Sequence, residues 1–451
     1  MGTDTARETA TGATALADRK REQRGWYFYD WACSVYSTSV LTVFLGPYLT
    51  SVAKAAADAD GFVHPLGIPV RAGSFFAYTV SLSVILSLFV MPLAGAAADR
   101  TGRKKPLLAA AAYVGAAATA GMFFLEGERY LLGGALLVVA NSALAVSMVL
   151  YNSYLPQIAP PEERDAVSSR GWAFGYASGA LVLVANLWLY LSHDTFGVSE
   201  STAVRICLAS AGVWWGAFTL VPLRRLRDRR PARAQERTAP GLRHFVATVK
   251  DMRRYPLTLS FLLAYLVYND GVQTVISQAS VYGSEELRLS QSTLIVAVLL
   301  VQVLAVVGAL AMGRLARAYG ARRTIMGSLV AWTVTIGAGY FLPAGSAMWF
   351  FVLAIGIGLV LGGTQALSRS LFSHLVPARK EAEYFSAYEM SDRGMSWLGP
   401  LVFGLAYQLT GSYRDAIVSL VAFFLIGFAL LARVPVRQAI RDAGNPVPAR
   451  I

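Results

Sequence analysis

Gly95-Ala-Ala-Ala-Asp99-Arg100-Thr-Gly102-Arg103-Lys104-Lys105 stands between two long apolar runs. Four bases and an acid cannot enter hydrocarbon cheaply. Gly102 permits a tight turn. The stretch is therefore a short polar loop joining two membrane spans, anchored at the headgroups. Further along, Gly313-Arg-Leu-Ala-Arg317-Ala-Tyr-Gly320-Ala-Arg322-Arg323 follows another apolar run at an offset of 218 residues. Ser153 followed by Pro160 and Ser370 followed by Pro377 repeat at an offset of 217. Two signals at nearly one offset point to duplicated halves in parallel orientation.

Working outward from these loops gives twelve apolar spans, at about 28–52, 74–98, 107–125, 129–155, 170–192, 204–223, 257–281, 292–313, 324–343, 347–375, 384–409 and 413–432. The expected organisation is a cytosolic tail (1–25), a six-helix bundle (26–223), a basic linker (224–256), a second six-helix bundle (257–433) and a cytosolic tail (434–451). The linker holds ten arginines and Lys250. The even-numbered loops and both termini carry most of the basic residues, which puts both termini in the cytosol.

Composition agrees. The chain has 451 residues, 55% hydrophobic and only 15% charged, with a mean hydropathy of +0.48. Soluble domains are about 25% charged, so a soluble enzyme or secreted module is excluded. The net charge of +13 sits in short loops, where it marks topology and not nucleic-acid binding. Anionic lipid headgroups are the expected partner of those loops. Cys33 and Cys207 lie in apolar stretches. His64, His193, His244 and His374 form no metal-ligand spacing, and no P-loop or nucleophile–base set is visible, so no cofactor, metal, nucleotide or enzymatic chemistry is expected.

The 95–105 run resembles the loop 2–3 signature of the major facilitator superfamily. Four other stretches resemble its vacuole-effluxer-like branch: Tyr29-Asp30-Trp31-Ala32-Cys33-Ser34, Tyr268-Asn269-Asp270-Gly271-Val272-Gln273-Thr274, Gln365-Ala-Leu-Ser-Arg369-Ser370 and Ser396-Trp397-Leu398-Gly399-Pro400. The matches run from residue 26 to about 404. The resemblance implies an all-α polytopic membrane protein with twelve transmembrane helices in two pseudo-symmetric bundles around a central cavity. It also implies amino acids as substrate, since the branch includes the fungal amino-acid effluxer of the vacuole. In the second-half loop, Arg317 stands where the family pattern often has Asp.

Intramembrane polar residues supply the candidate site, because such groups face a bundle interior or a water-filled cavity. Asp270 lies near the middle of span seven, with Tyr265, Asn269, Gln273 and Ser277 recurring every four residues beside it. The stripe is either cavity lining, with Asp270 as a substrate or proton site, or a polar cluster locking helices together. Span one carries a similar stripe of Asp30, Ser34 and Ser37 or Thr38; Asp30 also suits a helix's first turn. Gln365 and Arg369 share a face of span ten, as Glu389 and Arg393 do on span eleven, with Asp392 adjacent. They form either an ion-pair gate with a carboxylate-binding Arg369, or a permanent lock. Gly95, Asp99, Arg100, Gly102 and Arg103 are the conformational set. By resemblance, Asp99 reaches the start of span eleven. Gly171, Gly175 and Gly179 on span five are expected to serve packing. Trp26, Trp31 and Trp397 are expected at the membrane interfaces.

The expected function is secondary transport of a small polar solute by alternating access, as a monomer in a bacterial inner membrane, with protons as a coupling ion. Two rivals are multidrug efflux, which needs a mostly aromatic and apolar cavity, and a membrane receptor built on a transporter fold.

Overall fold

The structure, a computed structural model, describes residues 2–101, 103–159, 164–228, 250–376, 384, 388, 396–445 and 447. Helices dominate it. The first is α1 (Gly2–Val35), which runs through a π-helical segment, Tyr36–Phe44, into α2 (Leu45–Ala55). A small antiparallel pair, β1 (Phe62–Val63) and β2 (Val70–Arg71), closes the following loop. Then come α3 (Phe75–Thr101), α4 (Lys104–Gly121), α5 (Tyr130–Asn152), the single turn α6 (Leu155–Ile158), α7 (Arg164–Leu191) and α8 (Glu200–Arg225). The second half comprises α9 (Pro256–Val281), α10 (Gln291–Tyr319), α11 (Ala321–Gly339), α12 (Ala347–Leu375), α13 (Leu398–Thr410), α14 (Tyr413–Ser419), α15 (Val421–Arg433) and α16 (Val436–Asp442).

Ten helical stretches among the described residues are long and apolar enough to cross a membrane. At the ninth expected span stands α11, only 19 residues long and opening on two arginines. At the eleventh stands α13, a 13-residue apolar helix. The apolar surface explains why such helices need lipid. On α10, Val303, Val306, Val307 and Leu310 are all exposed. That spacing puts them on one stripe, a face that acyl chains cover and water does not.

Helix ends follow local chemistry. Ser199, Ser290 and Ser412 each accept a backbone N–H in the first turn of α8, α10 and α14, as N-cap serines do. Gly320 joins α10 to α11 at φ 94°, ψ 149°, a conformation open to glycine alone at no steric cost. It occupies the place in the second-half loop that Gly102 holds in the first.

Both tails are more structured than their polarity suggests. Around residue 23, α1 is already packed: Glu22 and Gln23 are buried, and Gln23 Nε2 donates to the Ile158 carbonyl at 2.9 Å. At the other end, α16 buries Val436, Ala439 and Ile440. Asn445 Nδ2 then donates to the carbonyls of His374 and Val376.

Contacts divide the chain into two compact units. One comprises Met1–Val40, Phe89–Phe124 and Val139–Pro240; the other comprises Leu41–Leu88, Leu125–Val138 and Gly241–Ile451. The second unit therefore takes in parts of the first two spans. There Ser74 Oγ donates to the Gly404 carbonyl, Ser280 Oγ to Thr42 O, and Gln291 Nε2 to Val43 O. Lys54 pairs with Glu285. Arg414 ties loop to helix, with Nε on Glu286 at 2.7 Å and its two Nη atoms on the Tyr340 and Leu342 carbonyls.

Candidate functional site

Asp270 sits in a helix of the second unit that buries many polar side chains. The helix α9 buries Tyr265, Tyr268, Asn269, Asp270, Thr274, Ser277 and Gln278, and Asp270 itself is 2% exposed. Its Oδ2 accepts the Gly399 N–H at 2.8 Å. Gly399 lies in the first turn of α13, where backbone N–H groups have no intrahelical acceptor and the dipole favours an anion. Pro400 has no N–H to give, so Gly399 serves as the donor. A Cβ at Gly399 would collide with Thr274 Oγ1 and stand 3.0 Å from both Asp270 O and Oδ1. Two residues earlier, the Trp397 carbonyl accepts from Ser81 Oγ at 2.9 Å. The turn Trp397–Gly399 thus fastens α3, α9 and α13 together. Asn269 is buried beside Asp270, and Gln273 is half-buried.

A column of rings stands between α9 and α12. Phe261 stacks on Phe372, Phe372 on Tyr388, and Tyr388 on Tyr265 at 4.4 Å between centroids. Tyr268 closes the column through a 2.6 Å hydrogen bond between its hydroxyl and Ser368 Oγ. Gln365 is half-buried and Arg369 exposed on α12, next to Ser368. Glu389, Asp392 and Arg393 lie outside the described residues.

In the first unit Asp30 lies against Tyr151 and the backbone of α7. Tyr151 donates its hydroxyl to Asp30 Oδ2 at 2.6 Å. The three glycines of α7 lie in register along the polar stripe of span one. A Cβ at Gly171 would stand 2.5 Å from Asp30 Oδ2, one at Gly175 2.5 Å from Ser34 Oγ, and one at Gly179 2.7 Å from Thr38 Oγ1. The small residues and the polar stripe are therefore two sides of one helix crossing. Trp26 departs from its expected place at the interface: it is 2% exposed, stacked on Tyr151 at 4.3 Å, with Nε1 donating to the Tyr151 carbonyl. That partner, 125 residues away, withdraws the indole from the surface.

The loop at 95–105 is held by a residue the sequence gave no signal for. Asp228 Oδ1 accepts both the Lys105 N–H and the Tyr154 hydroxyl, each at 2.9 Å. It caps α4, whose own N-cap position, Arg103, supplies no side-chain acceptor. Lys104 Nζ reaches the Ser153 carbonyl at 3.3 Å, and Arg103 is exposed. Gly95 is half-buried on α3, 3.8 Å from Val149 by its virtual Cβ. Gly102 and the side chains of Asp99 and Arg100 lie outside the described residues. Ser81, Tyr151, Asp228 and the Gly399 N–H were not among the sequence candidates. Only the Ser396-Trp397-Leu398-Gly399-Pro400 stretch, through its resemblance to the family, pointed toward any of them.

Known proteins resemble this chain in sequence and in fold. The family described as "Vacuole effluxer Atg22 like" matches residues 18–444. The MFS-type transporter YxiO of Bacillus subtilis is 29% identical, over 92% of this chain and 95% of its own. Autophagy-related protein 22 of Yarrowia lipolytica is 27% identical, over 84% of this chain and 78% of its own. Among solved structures, the nucleoside transporter NupG superposes with a TM-score of 0.64 at 15% identity, covering 91% of this chain and 98% of that one. The xylose transporter XylE of E. coli, in a partially occluded inward-open conformation, gives 0.65 at 12% identity, covering 93% and 98%. These are matches of fold at nearly full length. The chain is an integral, multi-pass membrane transporter with the major facilitator fold, and it belongs to the vacuole effluxer Atg22-like family.

Proposed function

We propose that the protein is a secondary transporter that exports small polar solutes, amino acids foremost, by alternating access and in exchange for protons. The observation that carries this reading is the buried Asp270 carboxylate on the first turn of α13. A charge-assisted hydrogen bond is roughly twice as strong as a neutral one. Protonating Asp270 removes the charge, weakens its hold on the Gly399 N–H and frees α13 to move against α9. The ammonium group of an arriving amino acid draws on the same charge. Either event couples occupancy of the carboxylate to the conformation of the eleventh span. Arg369 on α12 is the candidate partner for the substrate carboxylate, because a guanidinium binds carboxylates through two parallel bonds. Gln365, Asn269 and Gln273 are the candidate neutral polar contacts; on span one, Asp30 and Ser34 are the candidates. Both termini face the cytosol of a bacterial cell in this reading.

Counterflow in proteoliposomes tests it. Vesicles loaded with a panel of amino acids are compared with and without a pH gradient, for wild type and Asp270→Asn. The amide still accepts the Gly399 N–H but cannot change charge. The wild type should show saturable exchange and gradient-driven accumulation. The variant should keep exchange and lose the response to the gradient. A variant that the gradient still drives makes Asp270 purely structural. No exchange of any amino acid rules out the substrate assignment.

A further inference from the structure

Arg322 and Arg323 open α11 directly after the turn at Gly320. The Arg322 Nη2 atom donates to the Ala432 carbonyl at 2.6 Å and to Leu431 O at 3.4 Å. Those are last-turn carbonyls of α15, at the negative end of the helix dipole. This fixes the guanidinium in place, and its Nε is buried with no hydrogen-bond partner. Arg437, on α16, stands on the other side. Together with Met326, Ala432 and Val436 the three arginines line a cavity of about 460 Å³. Among the described residues none of the three pairs with a carboxylate. Three guanidinium groups around one cavity repel one another, and backbone carbonyls neutralise only part of one of them. An anion is what the arrangement lacks.

The other wall narrows the choice. Met326, Ala432 and Val436 are apolar, and α11 and α15 continue from them into their apolar stretches. A ligand seated there meets guanidinium groups at one end and hydrocarbon-facing side chains at the other. A phosphate with an apolar body matches both; free phosphate matches only the first. Guanidinium groups bind phosphate oxygens in pairs, and basic pockets between transmembrane helices suit anionic headgroups. We propose that this cavity binds the phosphate headgroup of an anionic phospholipid. Arg323 and Arg437 hold phosphate oxygens, the immobilised Arg322 adds its fixed positive charge, and Met326, Ala432 and Val436 pack against the glycerol end of the acyl chains. The lipid then joins α11, α15 and α16 at one membrane face.

The test uses the full chain purified in detergent and titrated with phosphatidylglycerol, bound lipid being counted by native mass spectrometry. Because Arg322 also holds the end of α15, the variant is Arg323→Gln/Arg437→Gln. Each lost arginine should weaken binding about fivefold, the worth of one basic residue near an anionic surface. Arg253→Gln/Arg254→Gln, two exposed arginines elsewhere in the same unit, should leave binding unchanged. Equal weakening by both pairs overturns the site in favour of diffuse surface charge. Displacement of the lipid by inorganic phosphate at equal concentration also overturns it, in favour of a soluble anion.

Discussion

Gly171 faces the carboxylate of Asp30 so closely that a Cβ on the glycine would stand 2.5 Å from Oδ2. The same separation recurs between Gly175 and Ser34 Oγ. The carboxylate lies against this backbone and accepts the Tyr151 hydroxyl. Gly171→Ala and Gly175→Ala should each destabilise the fold by about 1–3 kcal/mol through overpacking. The measurement is the melting temperature in detergent. A Gly175→Ala protein as stable as wild type would mean that the two helices separate easily at this crossing.

Gly399 gives a sharper case, because its obstacle is a named side chain. Gly399→Ala should abolish exchange, since the new methyl strikes Thr274 Oγ1 and pushes α13 away from Asp270. Gly399→Ala/Thr274→Ala makes room again and should recover part of the lost rate. Exchange rates for the two single variants and the double variant decide it. No recovery in the double variant would place the damage elsewhere on α13.

The Lys54–Glu285 pair joins the end of α2 to the segment that follows α9. Their side chains are 44% and 15% exposed, so the pair is worth only about 0.2–1 kcal/mol. Lys54→Glu puts two acids together and should lower the melting temperature. The swap Lys54→Glu/Glu285→Lys should restore it, and high salt should shrink both effects.

Asp228→Ala removes an acceptor from the Lys105 N–H and the Tyr154 hydroxyl. It should cost about 1 kcal/mol, as loss of an N-terminal cap does. Asp228→Asn keeps an acceptor oxygen and should cost less. Thermal unfolding of the two variants side by side is the check.

The spans were legible because hydrocarbon demands long apolar runs, and those runs need no knowledge of neighbours. The ninth apolar run starts at about residue 324, while α11 starts at Ala321, ahead of Arg322 and Arg323. The eleventh span was visible as a run, while the start of a separate helix at Leu398 was foreshadowed only by Gly399-Pro400. Asp270 stood out because an acid in an apolar helix is costly. Its partner did not, because a backbone N–H 129 residues away has no signature in residue identity. Asp30 and the glycines of α7 were each visible as a stripe, yet only the fold sets one stripe against the other. The helical start of α1 escaped notice because its polarity looks like a solvated tail until Ile158 supplies an acceptor for Gln23.

Asn445 has a bearing on biogenesis. Its amide satisfies the carbonyls of His374 and Val376 at the end of α12. Ribosomes deliver residue 445 some seventy residues after α12 has been made, when its neighbours are already entering the bilayer. Until then those carbonyls lack the Asn445 amide. The end of α12 is therefore finished by a residue that emerges some seventy positions later. Termination after Arg433 would keep the twelve apolar runs and should lower stability, because the His374 and Val376 carbonyls lose the Asn445 amide.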